Sequence, residues 1–231
     1  MKRWVLLGLL WFGTHSSLQA KSETVYYNTE DGAHIEATLS GEGTHGVVLA
    51  HGGQFTKSSW NKQVRILNDA GFRTLAINFR GRVRSKVGPD NPRPVRGAGL
   101  YPVGLTPHYQ DVLAAVAFLR EQGCSEISVI GGSIGGGATS VAAAMAPKGL
   151  IDRVVLLAAT PIKKIQAVKG SKLFVTTEGD NLAAISAQFE QATEPKKLVV
   201  LEGNAHAQHI FKTAQAEPLM DAISAFLRAP I

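Results

Sequence analysis

Residues 129–137 read Val-Ile-Gly-Gly-Ser-Ile-Gly-Gly-Gly, and Ala-rich residues 138–146 follow them. This stretch constrains the fold more than any other. The β-branched run Ile127 to Ile130 suits a buried strand. Residues 138–146 lack Gly and Pro and suit a helix. Between them stands Gly131-x-Ser133-x-Gly135, the pattern of a sharp strand-to-helix turn with a serine at its apex, a nucleophile elbow. A serine held there takes an unfavourable backbone conformation. The positions two residues to either side must be small, because strand and helix nearly touch. The serine also stands at a helix N-terminus, where backbone N–H groups and the helix dipole favour a developing negative charge. Read without partners, the same glycines simply join a strand to a helix.

The rest of the chain alternates in the same way. Thr24–Tyr27 and His34–Leu39 flank Glu30-Asp31-Gly32 and read as an antiparallel pair. Residues 46–50 read as a buried strand that ends in His51-Gly52-Gly53-Gln54. Trp60–Ala70 reads as a helix, with Ser58 or Ser59 as its cap and Gly71 beyond its end. Strands are expected at 72–79, 153–158, 172–177 and 197–201, and helices at 107–121, 181–191 and 219–227. A short helical segment is expected at 162–168. Strands alternating with helices imply one α/β domain with a mostly parallel central sheet and helices on both faces. Its 231 residues suffice for a full core.

The chain opens Met1-Lys2-Arg3, continues with an apolar run from Trp4 to Phe12, and reaches Ser16-Ser17-Leu18-Gln19-Ala20. That order suits an export signal over residues 1–20, with the domain at 21–231 and a periplasmic or secreted location. An uncleaved N-terminal anchor is the alternative; the apolar run is short for an ordinary span, so no stable membrane span is expected after cleavage. Loss of Lys2 and Arg3 takes the formal net charge from +6 to +4, which does not by itself imply a nucleic-acid partner. The single cysteine, Cys124, allows no internal disulfide and reads as a structural or surface thiol. No Cys/His spacing suits zinc, and no P-loop or dinucleotide motif is present, so no metal and no cofactor is expected.

In open parallel sheets, chemistry gathers beyond the carboxyl ends of the strands. Four such ends carry reactive or polar residues: His51 to Gln54, then Ser133, then Asp180, then His206. Serine, acid and histidine follow the chain order of one known triad arrangement. Asp180 has a rival role as a helix cap and a rival acid in Glu178; His209 is the rival to His206. His51 reads as structural, and His45 and His108 as ordinary loop residues. Asp111 reads as a surface or first-turn acid.

With these residues in view, the chain resembles the α/β-hydrolases, and among them the small dienelactone-hydrolase-like and serine esterase or peptidase-like groups. The matching pieces are His51-Gly52-Gly53, Asn78-Phe79-Arg80-Gly81, Gly131 to Gly136, Glu178-Gly179-Asp180 and Gly203-Asn204-Ala205-His206. The resemblance implies the α/β-hydrolase fold and a triad of Ser133, Asp180 and His206. It implies an oxyanion hole from the N–H of Ile134 and one from Gly53, with Gln54 as rival. Dienelactone hydrolases carry Cys at the elbow; Ser133 here favours a small carboxylic ester, or a short peptide amide, as substrate. A non-catalytic binding protein on the same scaffold, or an acyltransferase using the same triad, is the competing reading.

The stretch from Arg80 to Thr106 carries Arg80, Arg82, Arg84, Lys86, Arg93 and Arg96 against one acid, Asp90. It reads as a solvated loop or as a basic wall. In the second case Arg82 and Arg84 would recognise an anionic group on the substrate. The connection between the strands at 153–158 and 172–177 is short, so no large lid is expected.

Overall fold

The computed structural model describes residues 21–86 and 107–230. Eight strands form one sheet: β1 (Ser22–Asn28), β2 (His34–Ser40), β3 (His45–Ala50), β4 (Arg73–Ile77), β5 (Glu126–Gly132), β6 (Arg153–Leu157), β7 (Ser171–Thr177) and β8 (Lys196–Leu201). Their spatial order is β1-β2-β4-β3-β5-β6-β7-β8. Strand β2 runs antiparallel to both β1 and β4, and the remaining pairs are parallel. The helices are α1 (Asn61–Asp69), α2 (His108–Glu121), α3 (Ile134–Met145), α4 (Leu182–Gln191) and α5 (Ala216–Arg228).

The period-two alternation of the strands divides the core. Val48, Ala50, Val129 and Val154 face one side with Val112, Val116 and Leu119 of α2, Ala138 and Ala142 of α3, and Ile185 of α4. Val47, Leu49, Ile130 and Val155 face the other with Leu67 of α1 and Leu219, Ile223 and Leu227 of α5. Right-handed crossovers explain the division. The step from β3 to β4 runs one way along the sheet, and the steps from β4 to β5 and onward run the other. Crossovers of one hand therefore place α1 opposite α2, α3 and α4. The reversal occurs at β3, between β4 and β5, which opens a crevice at the carboxyl ends of β3 and β5.

Several local expectations change. Residues 57–60 form a 3₁₀ turn, so α1 starts at Asn61, and neither Ser58 nor Ser59 caps it. His45 and His108 are not loop residues: they begin β3 and α2. Asp111 lies in the first turn of α2, as expected, but it is fully buried. Arg80 is no part of a solvated basic wall. It is 1% exposed and lies between two acids, with Nε 2.8 Å from Asp111 Oδ1 and Nη1 2.5 Å from Asp31 Oδ2. The pairing ties the β1–β2 turn to α2 through the end of β4. Arg93 and Arg96 lie outside the described residues, as do residues 1–20. Between β6 and β7 there is no lid: Ile162, Ile165 and Val168 are buried, and one 3₁₀ turn spans Ile165–Ala167.

Candidate active site

The turn from β5 to α3 has the geometry its glycines require. Ser133 has φ 52° and ψ −117°, outside the regions that L-residues favour. Its N–H donates to Leu157 O of the neighbouring strand at 2.9 Å, and its carbonyl accepts from Gly137 and Thr160. The flanking glycines are there for closeness. A Cβ on Gly131 would stand 2.5 Å from Gly135 O, and one on Gly135 would stand 2.5 Å from Ala50 O and 2.6 Å from His51 O. No side chain fits at either position.

Asp180 follows β7. Beyond the strands, Glu178 N–H donates to Leu201 O and Gly179 N–H to Gly203 O, so the two chain ends continue side by side. Thr177 Oγ1 donates to Ala205 O at 3.2 Å, and Thr176 Oγ1 to Asp180 O at 2.5 Å. These bonds hold the loop after β8 against the loop after β7. Asp180 Oδ2 lies 2.7 Å from His206 Nδ1, and His206 Nε2 lies 2.9 Å from Ser133 Oγ. The side chain of His206 is 38% exposed and that of Asp180 12%, so the ring reaches the surface while the acid sits behind it.

The competing assignments fall elsewhere. Asp180 does not cap α4; Asn181, in left-handed backbone, is the cap residue and no side chain caps the helix. Glu178 is exposed. The ring of His209 packs against Phe55, with centroids 4.9 Å apart.

The loop after β3 faces the elbow across the crevice. His51 is fully buried, and its Nδ1 lies 2.8 Å from Gly52 O. Phe79 N–H donates to its Nε2 at 3.3 Å. These partners assign a neutral ring with the hydrogen on Nδ1. Burial first, and then the nearby Arg82 charge, lower its pKa to about 4 against the pull of the Gly52 carbonyl. His51 therefore orders the loop, as the sequence suggested. Gly52 O also accepts Phe55 N–H at 3.0 Å. The Arg82 guanidinium donates to Gly53 O. A Cβ on Gly53 would lie 3.6 Å from Ile134 Cδ1, which sets Gly53 beside the first residue of α3. Ile134 opens a helix, and its N–H has no acceptor within that helix.

Arg82 thus stands beside the loop that borders the elbow. Arg84 lines a different depression, with Tyr26, His34 and Lys86, and interacts with Tyr26 and Glu36. Cys124 is buried and free. Among the described residues no group of three or more His, Cys, Asp or Glu could hold a metal ion. No helix of the described residues is long and apolar enough to cross a membrane. Sequence reasoning missed Gln208, whose buried amide reaches the loop after β3. Its spacing of two from His206 was the only signal available.

The model of the alpha/beta hydrolase family matches residues 47–226, a span that runs from within β3 through most of α5. The chain belongs to the alpha/beta hydrolase family. Solved structures share its fold. An esterase of Pyrococcus furiosus superposes with a TM-score of 0.75 at 14% identity, covering 95% of this chain and 97% of that one. A dienelactone hydrolase of Anabaena variabilis gives 0.71 at 23% identity, covering 89% and 96%. Acetyl xylan esterase 1 of a Thermoanaerobacterium species gives 0.72 at 16% identity, covering 94% and 86%. No curated protein matches by sequence.

Proposed function

We propose that this alpha/beta hydrolase is a serine hydrolase that cleaves a small carboxylic ester, or a short amide, through an acyl-enzyme on Ser133, His206 and Asp180. The observation that carries the reading is the line of contacts from Asp180 through both ring nitrogens of His206 to Ser133, at 2.7 and 2.9 Å. An ionised carboxylate only accepts hydrogen bonds, so in the neutral ring Nδ1 holds the hydrogen and Nε2 is free to take one.

Ser133 Oγ then attacks the carbonyl carbon while its proton passes to His206 Nε2. The carbonyl oxygen becomes an oxyanion, held by the N–H of Ile134 and that of Gly53, with Gln54 as the rival second donor. Collapse of the adduct breaks the ester C–O bond, and His206 gives its proton to the departing alkoxide. Water enters the vacated place and gives a proton to His206 as its oxygen attacks the acyl carbon. The second collapse releases the acid and returns the proton to Ser133 Oγ. Each hole donor supplies about 3 kcal/mol in reactions of this type.

One feature supports a small substrate and another an ester. The connection between β6 and β7 packs into the core and builds no hydrophobic cover over the site. Two of the superposed structures carry the name esterase. Arg82, whose guanidinium donates to Gly53 O, would meet an anionic group on the substrate; Arg84 lines a separate depression.

Turnover of p-nitrophenyl acetate and butyrate by the wild type and by Ser133→Ala tests the reading. The wild type is expected to hydrolyse both, and the variant to lose about 10³-fold or more in kcat. Equal turnover by the two proteins would overturn it.

A further inference from the structure

Gln208 lies in the 3₁₀ turn Ala207–Lys212, two residues after His206, and is 3% exposed. A buried primary amide must satisfy both of its ends. Its Oε1 accepts the N–H of Gly52 at 2.6 Å, and its Nε2 donates to Ser59 Oγ at 2.5 Å. Ser59 Oγ in turn donates to Thr56 O at 2.6 Å. A backbone N–H can only donate, so the atom facing Gly52 is the carbonyl oxygen, and the amide has one orientation. The same oxygen would lie 3.2 Å from a Cβ on Gly132, the residue before Ser133. One side chain therefore spans from the backbone that carries His206, past the elbow, to the loop after β3.

That loop is held at three further points. Gly52 O accepts from Phe55 N–H and from His51 Nδ1, and Gly53 O accepts from Arg82. In a trans peptide the N–H points opposite to the carbonyl before it. Fixing the Gly52 carbonyl thus fixes the direction of the Gly53 N–H, and the Gly52 N–H bond to Gln208 fixes the preceding peptide plane. Of these anchors, Gln208 is the one that comes from the segment bearing the histidine.

We propose that Gln208 is a positioning residue: it locks the loop that supplies the second oxyanion donor to the segment that carries His206, so that base and donor keep one spacing. The proposal rests on the serine-hydrolase reading above. It assigns Gln208 no contact with substrate. Its work appears in the transition state, when the oxyanion forms, and little of it in ground-state binding.

The test measures kcat and KM on p-nitrophenyl acetate for the full chain, with Ser133→Ala and the thermal midpoint of each variant alongside. Gln208→Met removes both polar contacts at similar length. Gln208→Glu keeps the acceptor for Gly52 N–H. Gln208→Met is expected to lower kcat about 10- to 100-fold with KM within about threefold of wild type. Gln208→Glu is expected to recover part of that loss, which a role in packing alone would not predict. Should Gln208→Met fail to fold, Gln208→Asn decides, because its shorter side chain keeps the amide but cannot hold the 2.6 Å contact; its kcat is expected to fall in the same sense. Wild-type kcat in Gln208→Met or Gln208→Asn, or a loss that lies wholly in KM, overturns the proposal. With the wild type active and Ser133→Ala silent, such a result removes the role of Gln208 and leaves the serine reading standing. Activity retained in Ser133→Ala removes the serine reading itself.

Discussion

Ser133 combines a strained backbone with the central place in the proposed site. Its φ of 52° and ψ of −117° place a Cβ where L-residues rarely go. Such a conformation costs of order 1–3 kcal/mol and persists because the surroundings over-determine it. Here they do so through the bonds to Leu157, Gly137 and Thr160. A comparison of two inactive variants isolates that strain. Ser133→Ala and Ser133→Gly both lose the contact with His206, but only the glycine relieves the backbone. Glycine also gives the unfolded chain more freedom, which offsets part of the gain. Ser133→Gly is expected to be more stable than Ser133→Ala by about 1 kcal/mol in urea unfolding. A glycine variant less stable than the alanine variant by about 1 kcal/mol, the cost of its unfolded-state freedom alone, would show that the elbow is unstrained.

At the scale of elements, the sequence displayed the strands and helices well because periodicity and punctuation agreed. Val47 and Leu49 face one side and Val48 and Ala50 the other, as alternation demands. Ser133, Asp180 and His206 could be proposed together because each lies within a few residues of the carboxyl end of a strand, where a parallel sheet collects loop residues; the fold brings the three side chains within hydrogen-bond distance. What escaped were contacts made across the sheet by residues remote in sequence. Arg80 looked like one of several arginines in a loop, yet 31 positions separate it from Asp111 and 49 from Asp31. Burial of Asp111 was hidden for the same reason: a first-turn acid and a buried ion-pair partner are written with the same letter. Gln208 lies 156 positions from Gly52, and no local pattern announces such a contact. The start of α1 was misplaced because the two serines before it form a 3₁₀ turn that mimics a capped helix in sequence.

Taken whole, the molecule buries titratable groups whose charge depends on pH. His51 and His108 are buried, and burial foremost pushes each to about 4; the Arg82 charge adds to both, and Arg80 and, when protonated, His51 add to that of His108. His45, at the start of β3, is likewise lowered to about 4, by burial and by Arg153, against Asp152. In the unfolded chain these rings protonate near 6.5. Their contribution is fully present above pH 6.5 and is lost as the pH falls toward 4. Asp111 works in the opposite sense. Burial lifts it to about 6 in spite of Arg80, so its contribution is present below about 3.8 and is lost as the pH rises to 6. His51 and His108 each amount to roughly 3 kcal/mol over the window, and Asp111 offsets about one of them. Urea unfolding is therefore expected to show stability falling by at least about 3 kcal/mol between pH 7 and pH 4, with the less deeply buried His45 adding to the fall. Stability that stays level or rises over that interval would contradict this balance of charges.

The central claim, that Ser133 is the group that becomes acylated, is tested most directly by mass spectrometry after reaction with a fluorophosphonate. The account predicts a single adduct on the peptide containing Ser133, absent from Ser133→Ala and strongly reduced in His206→Ala. An adduct on another residue, or none on a protein that hydrolyses esters, would contradict it.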